Sequence, residues 1–258
     1  MSGSPLSAVN DTHDPARRSW VQSANDPDTD FPIQNLPLGV FRGAGREPRG
    51  GIAIGDRILD LAETVAAGML TGAALDAAKA ASGPTLNPLM ALGNQAASAL
   101  RSGVSDLLRA GSPGEPRATA IADRVLVPMQ NAEMALPAAI GSFTDFLTSL
   151  YHTERGGRHT RPDTPVPPNF KHLPVAYNSR ASSVRISGEA VRRPNGQFRN
   201  AAGELRFGPC EQLDFELEVA QFVGPGNAIG EPIAIEAAPD AIFGFCLLND
   251  WSARDVQR

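Results

Sequence analysis

Cysteine is scarce, with Cys210 and Cys246 the two in 258 residues. Two thiols cannot supply the disulfide framework of a small secreted domain, so the fold must rest on its own core, and a reducing compartment fits. Both thiols sit in apolar, strand-like surroundings and are expected to be buried. Histidine occurs four times and no Cys/His pair has zinc spacing. No apolar run approaches the roughly 18 residues of a membrane span. The N-terminus has no basic stretch leading into an apolar one, so no signal peptide is expected and the cytoplasm is the expected location. A phosphate-cradling loop, a dinucleotide fingerprint and a Gly-x-Ser-x-Gly elbow are all lacking. So is a basic balance: the net charge is −5, which argues against nucleic-acid and anionic-membrane partners.

What is there suits a globular chain. Hydrophobic residues make up 42% and charged residues 20%, enough apolar material for a substantial core. Residues 1–29 are polar and aperiodic and read as a mobile tail. A first small domain is expected over 30–124. Short apolar runs at 38–41, 51–54 and 57–61 read as strands, and Gly55-Asp56 between the last two reads as a tight hairpin. Helices are expected over 73–81 and 96–109, and residues 110–117, rich in Gly and Pro, read as a linker. From 125 to 258 short apolar runs alternate with turn signals, which points to a mostly β domain. Residues 161–168 hold four prolines and read as a loop.

Three stretches could carry chemistry. Over 143–152, apolar residues at Phe143, Phe146, Leu147, Leu150 and Tyr151 have helical spacing. On such a helix Asp145 and His152 share the opposite face, with Thr148 and Ser149 between them. That face could serve a metal and a base, or simply be solvated. Over 213–219, strict alternation predicts a strand with Leu213, Phe215, Leu217 and Val219 on one face and Asp214, Glu216 and Glu218 on the other. Two same-face carboxylates about 7 Å apart can grip a hard divalent cation, or can be an acidic outer face. Over 242–257, an apolar run predicts a buried strand ended by Asn249-Asp250. Ser252 and Asp255 then look like a helix start. Asp250, Arg254 and Gln257, spaced i, i+4, i+7, could converge on an oxyanion, or Asp250 could be only a cap paired with Arg254.

Several phrases in order carry a family resemblance. They are Asp30-Phe31-Pro32-Ile33-Gln34-Asn35-Leu36-Pro37, Thr144-Asp145-Phe146, His172-Leu173-Pro174-Val175, Ser179-Arg180-Ala181-Ser182-Ser183-Val184, Leu213-Asp214-Phe215-Glu216-Leu217-Glu218, Phe222-Val223-Gly224-Pro225-Gly226-Asn227 and Asn249-Asp250-Trp251-Ser252-Ala253-Arg254-Asp255. From about residue 19 onward the chain resembles the fumarylacetoacetase family, metal-dependent hydrolases that cut a carbon–carbon bond in a β-diketone acid. The resemblance implies an α+β, mostly β fold: a small N-terminal barrel of SH3 type, then a mixed β-roll.

It also implies a Ca²⁺ or Mg²⁺ ion held by Asp145, Glu216, Glu218 and Asp250, with His152 as general base and Arg254 and Gln257 as oxyanion donors. Arg161 and Tyr177 would contact the substrate. The position of the family's substrate-contacting tyrosine is Leu147 here. The expected reaction is cleavage of 4-fumarylacetoacetate to fumarate and acetoacetate, the end of tyrosine breakdown, by a homodimer. By the same resemblance the chain is expected to be a truncated form, its β-roll incomplete and lacking an oxyanion lysine, a threonine-bearing loop and the glutamate that orients the base, so that little or no hydrolase activity is expected of it alone. Sheet edges and apolar faces would then be open. Two other functions stay open: a related hydrolase or decarboxylase of 2,4-dioxo acids, and an inactive fragment that only binds a cation or a complementing partner.

Overall fold

The computed structural model describes residues 9–43, 45–173 and 175–257. The chain forms two compact units, one of residues 1–138 with 188–258 and the other of residues 139–187. Within the first, β1 (Leu38–Gly43), β2 (Arg49–Ile54) and β3 (Arg57–Asp60) follow one another in antiparallel register. β4 (Leu126–Pro128) adds beside β3 and β5 (Ala132–Ala135) beside β1, giving a five-stranded sheet in the order β4-β3-β2-β1-β5. The sheet thus takes both edge strands from beyond residue 124. The α+β expectation holds, the sheet curling into a half-barrel.

The β2–β3 hairpin turns at Gly55-Asp56 as the spacing predicts. Gly55 has a φ of 54°, and a Cβ there would come within 2.5 Å of the Ala24 amide nitrogen. Left-handed backbone costs a residue with a Cβ about 1–2 kcal/mol, and the clash with neighbouring backbone adds to it. Gly55→Ala is therefore expected to lower stability by roughly 2 kcal/mol or more, read as a shift of the urea midpoint. An unchanged midpoint would mean that residues 23–24 can move away freely.

Six helices lie between β3 and β4: α1 (Leu61–Ala66), α2 (Gly72–Ala81), α3 (Asn87–Leu92), α4 (Asn94–Leu108), α5 (Glu115–Thr119) and α6 (Ala122–Val125). α2 is alanine-rich, the strongest helix former, and buries Ala77, Ala78 and Ala81. α4 buries Leu100, Val104, Leu107 and Leu108, an i, i+4, i+7, i+8 stripe that faces the core. With Ile52, Ile54, Leu59 and Leu89 these residues form one hydrophobic core.

Two expectations fail here. Residues 1–8 of the expected tail lie outside the described residues, but within 9–29 several residues are anchored. Ser19, Val21 and Ala24 are buried, and the Trp20 indole donates to the Leu107 carbonyl at 2.9 Å. The half-buried Arg101 donates to the Gln34 and Asn35 carbonyls and the Thr12 hydroxyl. The expected linker at 110–117 is partly structured: Ser112 is buried and Glu115 opens α5, which carries the buried Ala118.

Later in the same unit come β8 (Asn195–Arg199), paired with β9 (Leu205–Pro209), and β10 (Leu213–Val223), paired with β11 (Ile242–Ala253). A short α8 (Ala238–Ala241) precedes β11 and α9 (Arg254–Gln257) follows it. The smaller unit is simple, with β6 (Phe143–Phe146) pairing antiparallel to β7 (Ala176–Ser179) and α7 (Leu150–Thr160) between them in sequence. Cys210 is buried as expected, but Cys246 is exposed. It sits on β11 in a stretch, with Phe245 and Leu247, that the strand leaves 64% and 75% exposed respectively for those two neighbours. The apolar run was therefore not a buried strand.

Candidate functional site

β10 keeps the alternation of its sequence. Phe215, Leu217 and Val219 are 60%, 75% and 71% exposed, whereas Glu216 and Glu218 on the other face are half-buried. The carboxylates thus sit on the more enclosed side, the reverse of an acidic outer face. β11 extends this face. Asp250 lies directly opposite Glu216 in the antiparallel register, and Glu218 is paired with Leu248. Carboxylate oxygens of Glu218 and Asp250 lie within 4.8 Å of one another. Acids set this close repel, and a cation among them turns repulsion into attraction. An all-oxygen set of this kind suits a hard divalent cation.

Asp250 was expected to end its strand and sit on a helix edge with Arg254 and Gln257. Instead β11 runs on to Ala253, because residues 250–253 pair with 213–216 of β10, and the helix begins at Arg254. Ser252 makes no cap of α9; its hydroxyl donates to the Asp250 carbonyl. Arg254 and Gln257 do meet, the guanidinium Nη1 donating to Gln257 Oε1 at 3.3 Å. Arg254 also donates through Nε to Asp214 at 3.1 Å and through Nη2 to Glu216 at 2.5 Å. Burial pulls the Arg254 pKa down, but the bonds to Glu216 and Asp214 outweigh it and hold it above its usual value. Asp214 is held below the usual carboxylate range by the Phe215 amide and by Arg254.

The other unit carries the remaining candidates. Asp145 is on β6, not on a helix, and pairs in register with Tyr177 on β7. The Tyr177 hydroxyl donates to Asp145 Oδ2 at 2.5 Å. Leu147 follows β6, half-buried, its amide donating to the Val175 carbonyl at 3.0 Å. His152 is in the first turn of α7, where its amide donates to the Ser149 hydroxyl, the N-cap of that helix. The expected shared helical face of Asp145 and His152 therefore does not exist. The apolar spacing arose from a strand, a turn and a helix start read as one period. Arg161 caps the other end of α7 and is exposed, its guanidinium donating to the Pro165 carbonyl at 3.4 Å.

One residue of the acidic face's surroundings was not foreseen as functional: Asp214, which shares Arg254 with Glu216. Its signal was present in the alternation, since it lies on the same strand face. A cleft elsewhere in the larger unit, lined by Trp20, Ser23, Asp56, Arg57 and Asp123, contains none of these residues.

Comparison with known proteins bears on what these elements are. Residues 34–137 match the family model described as fumarylacetoacetase N-terminal, and residues 142–258 match that of the fumarylacetoacetate hydrolase C-terminal domain. The chain is 45% identical over 247 residues to a fumarylacetoacetase of Oryza sativa, covering 93% of this chain and 57% of that protein. It is 46% identical over 244 residues to that of Bos taurus, with 93% and 57% covered. Against that of Homo sapiens it is 44% identical over 235 residues, with 90% and 56% covered. The chain spans rather more than half the length of these curated relatives. Two successive family domains, and the carboxylate-bearing strands that fall inside the second of them, lead to one assignment: the chain belongs to the fumarylacetoacetase family.

Proposed function

We propose that this chain carries the cation ligands, the base and oxyanion donors for hydrolysis of the carbon–carbon bond of fumarylacetoacetate to fumarate and acetoacetate. The observation that carries the reading is the pairing of Glu216 with Asp250 across β10 and β11, beside Glu218 on the same face. With Asp145 these are the four carboxylates that the family resemblance assigns to a Ca²⁺ or Mg²⁺ ion. Their oxygen donors fit either. Bound there, a divalent cation would polarise a β-diketone carbonyl as a Lewis acid.

The other groups act through their own chemistry. His152, in the opening turn of α7, takes a proton from the attacking water. Arg254 is held by two acids and donates hydrogen bonds to the oxyanion that develops. Gln257 accepts from Arg254 through its amide oxygen, which leaves its NH₂ group as a second donor. Tyr177, tied to Asp145, and Arg161 hold the keto and acid groups of the substrate. A homodimer in the cytoplasm belongs to the same proposal.

Calorimetric titration of Ca²⁺ and of Mg²⁺ into the protein tests this, followed by an assay of fumarylacetoacetate cleavage with and without EDTA. One cation per chain is expected, with weak cleavage at most, and that lost in the chelator. No uptake at millimolar cation, or cleavage indifferent to the chelator, would refute it. Leu147 supports a second reading. A leucine cannot donate the hydrogen bond of a tyrosine, so another 2,4-dioxo acid could be the better substrate. That reading wins if such an acid is cleaved or decarboxylated faster than fumarylacetoacetate.

A further inference from the structure

Asp255 has no part in the chemistry proposed above, yet with Asp60 it is one of two buried carboxylates among the described residues, 7% exposed. A buried carboxylate is costly unless donors surround it. Its Oδ2 accepts from the Glu211 amide at 2.6 Å and its Oδ1 from the Val256 amide at 3.0 Å. Burial pushes its pKa up, but the Glu211 and Gln212 amides and the Cys210 thiol outweigh that and hold it below the usual range.

The turn that makes these bonds grips the neighbouring residues too. The Gln212 carbonyl accepts from the Arg254 amide at 2.9 Å. From behind, Arg193 donates to the Cys210 carbonyl at 2.7 Å. On the far side, Val256 lies over Gly196 of β8, where a Cβ would come within 2.7 Å of the valine Cγ1. A four-residue helix has no stability of its own, so α9 stays where it is through residues 254, 255 and 256. Arg254 leaves this anchor to reach Asp214 and Glu216.

We infer that Asp255 is a positioning residue: fastening α9 to the 210–212 turn, it holds Arg254 against Glu216 and so sets the direction in which Glu216 offers its carboxylate. The inference rests on the functional reading above for what Glu216 does, but not for the geometry of Arg254. The test follows the Arg254 Nε–H proton, whose bond to Asp214 reports where the guanidinium is held, by ¹⁵N NMR on the full chain, assigned by its loss in Arg254→Lys. In Asp255→Ala its exchange with solvent should quicken at least about tenfold as the segment opens locally. Ca²⁺ affinity should fall roughly tenfold, as it does when groups behind metal ligands are removed.

Asp255→Asn, which keeps an acceptor for the Glu211 amide, should fall between and carries the test if the alanine variant does not fold. Asp60→Asn serves as the control, lowering global stability while leaving the Arg254 signal in place. An Arg254 Nε–H unchanged in shift and exchange rate in the Asp255 variants, or moved equally by Asp60→Asn, overturns the inference. Failure of the unaltered protein to bind a cation would instead refute the functional reading, and the exchange measurement would still decide the role of Asp255.

Discussion

Asp60→Ala is expected to destabilise the larger unit by about 3–5 kcal/mol, the cost of breaking a buried ion pair from one side. Asp60 is fully buried at the end of β3. Its Oδ2 accepts from Arg49 Nε at 2.6 Å, with the two side chains 1% and 12% exposed. The same carboxylate caps α1, Oδ1 accepting from the Glu63 amide at 3.2 Å. Arg49 in turn lies over the Phe41 ring, 5.0 Å from its centroid.

Truncating Asp60 would therefore leave a guanidinium enclosed without its counter-charge and a helix start without its acceptor, a loss of about 1 kcal/mol by itself. Arg49→Met, which fills the space without a charge, should also be costly, because Asp60 would then be the stranded ion. The double variant should cost less than the two single ones together, since it buries neither charge alone. Urea unfolding followed by the fluorescence of Trp20, packed against α4 in the same core, measures all three. Additive effects would show that the pair does not act as a unit.

The ion pair also marks a limit of the sequence. Asp60 stands in the run Arg57-Ile58-Leu59-Asp60-Leu61, and the strand and hairpin there are plain from the two apolar runs split by Gly55-Asp56. That the aspartate caps a helix beginning at the very next residue is not, because α1 has only six residues and no strong period. The long helices were legible since α4 repeats its apolar stripe over 15 residues and α2 is mostly alanine. The packed stretch at 19–24 was hidden by composition: Trp20, Val21 and Ala24 are few among polar neighbours, and what holds the stretch is hydrogen bonding of the Ser19 hydroxyl and the Trp20 indole and amide to the carbonyls of residues 107 and 108, about 90 positions away.

At the candidate site the residue types were readable and their setting was not. Alternation placed Glu216 and Glu218 on one face, but alternation is silent on which face is covered. Here the apolar one is open and the acidic one half-enclosed. An open apolar face of this size is ordinarily a surface for a partner. Asp250 looked like a strand end because polarity changes at Asn249, yet a strand lasts as long as its partner does, and β10 pairs with it to Ala253. The stretch at 143–152 failed for a different reason. Five apolar positions matched a helical period across a break, and the stronger local signal was Ser149, three residues before His152, the spacing of an N-cap.

Glu218→Gln is expected to weaken Ca²⁺ binding roughly 100-fold, about 2.7 kcal/mol. The change keeps the shape and one acceptor oxygen and removes one charge. Unit charges 4 Å apart near a protein surface interact by about 4 kcal/mol, and a dication doubles that; water filling the vacated coordination position returns part of it. Without the cation the sign should reverse. Glu218 and Asp250 bring acid oxygens within 4.8 Å, so removing one charge in EDTA should leave stability unchanged or slightly raised.

Glu216→Gln should also weaken the cation, but it should shift the Arg254 Nη2–H signal as well, since Glu216 accepts from Nη2 of that guanidinium while Asp214 keeps Nε–H. Glu218→Gln should leave that signal alone. Leu217→Thr, on the open face between them, should change neither. Calorimetry on the three variants, with thermal melts in Ca²⁺ and in EDTA, decides the matter. A Glu218→Gln protein that still binds Ca²⁺ within twofold of the unaltered one would remove Glu218 from the ligand set, and with it the reason for reading the β10–β11 face as a metal centre.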